Sequence, residues 1–193
     1  LVAKLLNDGH SVTCVDLKDI KSWFQFFNSA NNISLDLRDI NNCYDVVKGH
    51  DVVVNMACNM GGIGFIESNK IECMLSVLIN THLLMACRKY EINKYFFSSS
   101  ACGYNGELQS SSNIKGLKEE DAYPALPEDG YGWEKLFSER MCRHFVEDAK
   151  IDAKVARYHN VYGPFGTYGG GREKSPAAIC RKIINAKING LKE

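Results

Sequence analysis

Tyr131 and Lys135 lie four positions apart in Tyr131-Gly132-Trp133-Glu134-Lys135, a spacing that places both side chains on one face of a helix. The ordinary pKa of a phenol is about 10, so tyrosine is a poor base at neutral pH unless an adjacent ammonium stabilises the phenolate. Such a pair can take the proton from a substrate hydroxyl while hydride leaves the same carbon. This spacing also arises by chance in many helices, so a site needs support from other residues.

That support comes from a serine run, Ser98-Ser99-Ser100, which ends an apolar segment upstream and is followed by Ala101 and Cys102. A hydroxyl at Ser100 can hydrogen-bond the substrate oxygen that Tyr131 deprotonates, and the small residues let a sugar approach the backbone. The alternative is a loop that merely begins with serines. The serines, Tyr131 and Lys135 together favour the site.

Asp16 ends an apolar segment, residues 11–16, that is typical of a short buried strand. An acidic side chain at this place accepts hydrogen bonds from the two ribose hydroxyls of an adenine dinucleotide and repels a 2′-phosphate. It therefore favours NAD over NADP, whereas the alternative is an aspartate that caps a turn. The glycine-rich phosphate loop that would decide between them is expected before residue 1.

The elements that must position these residues alternate between helices and strands. Apolar spacing predicts helices over residues 1–7, 40–48, 71–90 and 131–148, and strands over residues 11–16, 51–57, 95–100 and 153–157. Residues 33–37 are predicted to form another short strand or a turn. The strand at 51–57 is apolar enough to be covered on both faces. Alternation of this kind predicts an α/β fold with a doubly wound, Rossmann-like parallel sheet, in which ligands bind beyond the carboxyl ends of the strands.

Composition limits the classes of partner. Lys plus Arg and Asp plus Glu number 23 each, so no net charge attracts nucleic acid or an anionic membrane. The eight cysteines are scattered and are expected to be mostly buried free thiols, and no metal site is predicted. No apolar stretch approaches the length of a membrane span, and no leader is recognised. We therefore expect a cytoplasmic protein that binds neither nucleic acid nor a membrane.

The chain resembles the extended short-chain dehydrogenases/reductases that act on nucleotide sugars, also called NAD-dependent epimerases/dehydratases, over nearly its whole length. The resemblance implies NAD as cofactor, a nucleotide sugar as substrate and a homodimer. It also implies that residues 1–165 form the NAD-binding domain, without its first strand and phosphate loop, and that residues 166–193 begin a substrate-binding region that is largely absent. The matching stretches are Asp16, Asp36-Leu37-Arg38, Asn55-Met56-Ala57, Ser98-Ser99-Ser100, Tyr131 with Lys135, and residues 157–164.

Within that superfamily, residues 60–66, 100–102 and 163–178 resemble the GDP-mannose 3,5-epimerases. The resemblance implies oxidation of the sugar at C4, which acidifies the C–H bonds at C3 and C5, followed by inversion of both centres. By position, Cys102 is the base and Lys174 the acid, and we expect neighbouring positive charge to lower the pKa of the thiol. Asp16, Asp36, Tyr131 and Lys135 are the implied cofactor contacts, and Gly61, Ser100, Ala101, Cys102, Asn160, Glu173 and Lys174 the implied substrate contacts.

Two alternatives remain open. A nucleotide-sugar 4-epimerase or 4,6-dehydratase on the same scaffold would not need Cys102 and Lys174 as an acid–base pair. An NAD-binding scaffold or sensor protein would need no catalytic residues, so the presence of Tyr131, Lys135, Cys102 and Lys174 argues against it. Because the predicted phosphate loop lies outside the chain, we expect these 193 residues alone to be inactive.

Overall fold

Parallel strands organise the chain, for which a computed structural model describes residues 1–111, 113 and 116–190. In these residues β1 pairs with β2, and β3, β4 and β5 form a second sheet in that order, with every pair parallel. The strands are β1 (Thr13–Asp16), β2 (Asn31–Ser34), β3 (Val52–Asn55), β4 (Lys94–Ser100) and β5 (Asp152–Tyr158). The predicted parallel α/β fold is thus confirmed.

Helices connect the strands, as parallel pairing requires. Helix α2 links β2 to β3, α3 to α5 link β3 to β4, and α6 links β4 to β5. The last three residues of the predicted 166–193 region lie outside the described residues. The helices are α1 (Val2–Asn7), α2 (Ile40–Val47), α3 (Ile63–Ser68), α4 (Lys70–Met74), α5 (Ser76–Lys89), α6 (Tyr131–Ala149) and α7 (Ser175–Ile188).

The main core lies where α5 and α6 pack against β4, the central strand of the second sheet. Phe97 on β4, Leu84 on α5 and Cys142 on α6 are all buried within one cluster. A polar network crosses this core, because Asn80 on α5 accepts a hydrogen bond from the Tyr95 hydroxyl and donates to the Ser138 carbonyl. Packing and hydrogen bonds together fix the first half of β4 against α5 and the middle of α6.

Three sequence expectations need correction. The second strand lies at Asn31–Ser34, earlier than the short strand or turn predicted over 33–37, because its ladder with β1 starts at Thr13 and ends at Asp16. The helix predicted over 71–90 is divided at Leu75, whose carbonyl accepts from Leu78 in an i→i+3 bond that tightens the turn. Strand β3 is not covered on both faces, since Val52 and Val54 are exposed. Helices α3 and α7 were not predicted.

The expectation that no apolar stretch reaches membrane-span length was also wrong. In the described residues, Lys70–Lys89 is long and apolar enough to cross a membrane by length and composition. A core helix of a soluble protein passes the same test. The α5 part of this segment contributes Leu83, Leu84 and Cys87 to the core.

All eight cysteines are free thiols, as expected. Four are buried, and these are Cys43, Cys73, Cys87 and Cys142. Cys14, Cys58 and Cys102 are half-buried, and Cys180 is exposed.

Candidate functional site

The end of β4 and the start of α6 bring the predicted catalytic residues together. Ser100 is the last residue of β4 and Tyr131 is the first of α6, and the Ser100 hydroxyl acts to lower the pKa of Tyr131, against the larger effect of burial. Lys135 follows one turn later on the same face, with its Nζ 5.5 Å from the centre of the Tyr131 ring and 4.8 Å from that of Phe97. The helical spacing seen in the sequence thus produces the expected pair.

Gly132 allows Cys102 to lie beside this pair. The 3₁₀ turn Ala101–Gly103 follows β4 directly, and its start is capped by the Ser100 hydroxyl, which accepts from the Cys102 amide at 3.2 Å. A Cβ on Gly132 would lie 2.4 Å from the Cys102 carbonyl oxygen. Only glycine therefore lets the backbone of α6 approach this turn so closely, which keeps Cys102 near Tyr131 in one packed cluster.

The Cys102 thiol does not have the lowered pKa expected from the sequence. Burial, together with a hydrogen bond to the Glu128 carboxylate, raises the pKa of Cys102 to about 11. The Ser100 hydroxyl and the charge of Lys174 act in the opposite direction but are weaker. The expectation was wrong because burial and the carboxylate together outweigh the lysine.

Two acidic residues at this site were not predicted. Glu128 is fixed beside Cys102 by its backbone amide, which donates to the Cys102 carbonyl at 3.1 Å. Glu134 is fully buried next to Lys135, with Oε2 3.4 Å from Nζ. The helical spacing of Glu134 from Tyr131 was a usable signal, whereas nothing in the sequence joins Glu128 to a residue 26 positions earlier.

Two loops meet at the edge of this cluster. The Gly62 amide donates to the Arg172 carbonyl at 3.1 Å, and a Cβ on Gly62 would lie 2.5 Å from the Glu173 carbonyl oxygen. The Arg172 guanidinium donates to Asn59 Oδ1 at 2.8 Å and lies 3.9 Å from the centre of the Phe65 ring. These contacts place residues 171–174 against the loop that contains the predicted substrate contact Gly61.

Lys174 and its predicted neighbours have distinct surroundings. Lys174 caps the start of α7, and its Nζ lies 3.4 Å from Oδ1 of Asn160, which is exposed after β5. Glu173 is engaged within the chain, because its carboxylate pairs with Arg181 at 2.8 Å and accepts from the Gly171 amide at 2.7 Å. The roles of Gly61, Asn160, Glu173 and Lys174 in binding substrate remain predictions.

The two predicted aspartates follow adjacent strands. Asp16 ends β1, is exposed, and accepts one hydrogen bond from the Lys18 amide at 2.9 Å. Asp36 follows β2 and pairs with Arg38 at 2.7 Å, and this hydrogen-bonded guanidinium lowers the pKa of the Asp36 carboxyl. Asp16 thus has free acceptor capacity, whereas the Asp36 carboxylate already has a partner. Cofactor contact at either residue stays a prediction.

The buried Nζ of Lys135 is suited to contact a bound dinucleotide. Its Nζ is one of three buried side-chain atoms without a hydrogen-bond partner among the described residues. An ammonium has three donors and is costly to leave unsatisfied in the interior. Ribose hydroxyls supply acceptors of the kind it needs. Asp16, Tyr131 and Lys135 are the residues predicted to hold NAD, and the unpartnered Nζ of Lys135 fits that prediction.

Comparison with known sequences agrees with this geometry. Residues 1–191 match the NAD dependent epimerase/dehydratase family. GDP-mannose 3,5-epimerase 1 of Oryza sativa subsp. japonica is 42% identical over 183 residues, which are 94% of this chain and 48% of that protein. GDP-mannose 3,5-epimerase of Arabidopsis thaliana shows the same identity and coverage. The chain therefore spans about half the length of the curated relatives it matches.

Solved structures show the same fold. UDP-glucose 4-epimerase of Thermotoga maritima superposes with a TM-score of 0.80 at 21% identity, covering 96% of this chain and 59% of that one. The complex of Thermus thermophilus UDP-glucose 4-epimerase with NAD gives a TM-score of 0.78 at 20% identity, covering 100% of this chain and 59% of that one. At such identities the likeness is one of fold.

Proposed function

Because the chain belongs to the NAD dependent epimerase/dehydratase family, we propose that the full-length protein uses NAD to epimerise a nucleotide sugar. The proposed substrate is GDP-mannose, inverted at C3 and C5 through a 4-keto intermediate. The observation that carries this proposal is the convergence of Ser100, Cys102 and Tyr131 where β4 ends and α6 begins. The GDP-mannose 3,5-epimerases that match the chain at 42% identity support the choice of sugar.

In the redox step, Tyr131 takes the proton from the C4 hydroxyl while Ser100 hydrogen-bonds the same oxygen. Burial raises the pKa of Tyr131, so the phenolate depends on nearby positive charge. Lys135 supplies that charge from the next turn of α6. NAD, which Asp16, Tyr131 and Lys135 would hold, would supply the hydride acceptor for oxidation at C4 and the hydride donor for its reversal.

In the proton-transfer steps, the C4 ketone stabilises the carbanions at C3 and C5 as enolates. Cys102 removes a proton from one face, and Lys174 delivers one from the other. Because its pKa is raised to about 11, the Cys102 thiol needs an acceptor for its own proton. We propose that the Glu128 carboxylate, which helps to raise that pKa and whose backbone amide donates to the Cys102 carbonyl, is this acceptor.

The test is solvent-deuterium incorporation followed by NMR. The full-length protein is incubated with NAD and GDP-mannose in D2O, beside its Cys102→Ala variant. We expect label at C3 and C5 with the unsubstituted protein and none with the variant. Exchange that persists in the variant would remove Cys102 from the mechanism.

The alternatives are separated when the reduction of NAD and the configuration at C4 are followed in the same incubations. A 4-epimerase would interconvert its sugar at C4 whether or not Cys102 is present. A scaffold or sensor protein would leave bound NAD oxidised with every nucleotide sugar tried. Reduction of NAD without exchange at C3 and C5 would therefore favour the 4-epimerase.

We also propose a cytoplasmic homodimer, in which part of α6 faces the second copy. Trp133 and Phe137 lie one turn apart on α6 and are 42% and 53% exposed, so together they form an apolar patch that a second copy could cover. Light scattering of the full-length protein should give twice the chain mass, and Phe137→Glu should give the monomer mass. A monomer before substitution would refute the dimer.

A further inference from the structure

Glu134 and Lys135 form an ion pair inside the protein. Both side chains are 1% exposed, and Oε2 of the glutamate lies 3.4 Å from Nζ of the lysine. The other carboxylate oxygen, Oε1, accepts from the Ser138 hydroxyl at 3.0 Å. Oε2 and Nζ have no hydrogen-bond partner in the described residues, so each of these atoms depends on the ion pair.

In the described part of the chain, Glu134 is the one ion-pair partner of Lys135. A buried ammonium without a counter-ion gives up its proton more readily, because desolvation penalises the charged form. The ordinary role of such a pair would be structural. This pair, however, lies one turn from Tyr131, whose phenolate depends on the charge of Lys135.

We propose that Glu134 is the counter-ion that keeps Lys135 an ammonium beside Tyr131, and that it thereby sets the charge on which the proton transfer at Tyr131 depends. Glu134 is a positioning residue here, because it acts through Lys135. The inference rests on the proposed redox step at Tyr131.

The effect of removing this carboxylate has a definite sign. Loss of a nearby negative charge makes it easier for both the Tyr131 phenol and the Lys135 ammonium to lose a proton. Both limbs of a bell-shaped pH profile must therefore move to lower pH. The groups that face the pair, and that the variants leave unchanged, are Cys58 after β3, Cys73 on α4, and Tyr131 and Ser138 on α6, while Cys102 faces Tyr131.

The first measurement is the pH profile of NAD reduction by the nucleotide sugar, in the full-length protein and three variants. Glu134→Gln should move both limbs to lower pH by about one pH unit or more. Glu134→Asp, which retains the charge, should keep both limbs in place. Glu147→Gln is the matched control, since Glu147 lies on the same helix but is exposed and pairs with Arg143. An unmoved profile in folded Glu134→Gln protein would overturn the proposal.

The second measurement does not depend on activity. Urea unfolding midpoints are compared for Glu134→Gln, Lys135→Met and the double variant. Each single change leaves one buried charge without its partner and should lower the midpoint, whereas the double change removes both charges and should restore most of the loss. Additive losses would overturn the ion pair. If no nucleotide sugar reduces NAD, the proposed function fails while this cycle still decides whether the pair exists.

Discussion

Replacing Gly132 by alanine tests how tightly α6 is held against the turn that contains Cys102. The added Cβ would lie 2.4 Å from the Cys102 carbonyl oxygen and 3.1 Å from Cβ of Glu128. Backbone blocks one side, so the helix must shift. Overpacking of this kind costs about 1–3 kcal/mol, whereas alanine in place of glycine in a helix gains at most about 1 kcal/mol. We expect a net loss of about 1–2 kcal/mol in the free energy of unfolding.

Gly64 provides the matched control. It is the second residue of α3, as Gly132 is the second of α6, but nothing lies within 4 Å of its hypothetical Cβ. Gly64→Ala should therefore be neutral or stabilise by up to about 1 kcal/mol. Urea unfolding of the full-length variants, followed by circular dichroism, measures both. The reasoning fails if Gly132→Ala is as stable as Gly64→Ala.

Three further predictions concern charges around the site. Glu128→Gln should lower the pKa of Cys102 from about 11, because it removes a carboxylate that raises this pKa. The pH dependence of Cys102 alkylation by iodoacetamide, followed by mass spectrometry, should therefore move to lower pH. An unchanged midpoint would contradict this. Arg172→Met should lower kcat/KM by about 10- to 100-fold, because the loop before α7 loses its anchor, and steady-state kinetics at wild-type level would refute that role. Arg157→Met should lower the free energy of unfolding in urea by about 2–4 kcal/mol, since it leaves the largely buried Glu139 carboxylate without its bidentate partner. A loss of less than about 0.5 kcal/mol would show that the pair contributes little.

The fold and the convergence of Ser100, Tyr131 and Lys135 were predictable, because the fold and the Tyr131–Lys135 pair depend on local periodicity. Tyr131 and Lys135 share a face through the helical repeat alone, and Ser100 follows from the rule that ligands bind where parallel strands end. Helix α7 also had a local signal that was passed over, since Pro176 stands in its first turn. Isoleucines of α7 such as Ile183 are exposed in the structure. The sequence does not indicate what this apolar helix face packs against.

The surroundings of Cys102 and Glu173 were not predictable, because they depend on contacts between distant segments. The pKa of the Cys102 thiol is raised by burial and by Glu128. The backbone of Glu128 is hydrogen-bonded to that of Cys102, although 26 positions separate them in the sequence. The sequence motif indicated that Glu173 is available for substrate, but Arg181, two turns into α7, already pairs with it. Spacing identifies candidate residues, whereas the charge state of each is set by tertiary neighbours.

The two halves of the proposed chemistry are built on different supports. Ser100, Tyr131 and Lys135 lie on β4 and α6, which pack into the main core, so their geometry follows from the stability of the fold. Lys174 instead depends on a loop that Arg172 and Gly62 attach to residues 59–65 through a few polar contacts. A substitution that weakens this attachment should therefore slow exchange at C3 and C5 while NAD reduction at C4 continues. Measuring both rates in Arg172→Met tests this, and equal losses would mean that the two halves depend on the same support.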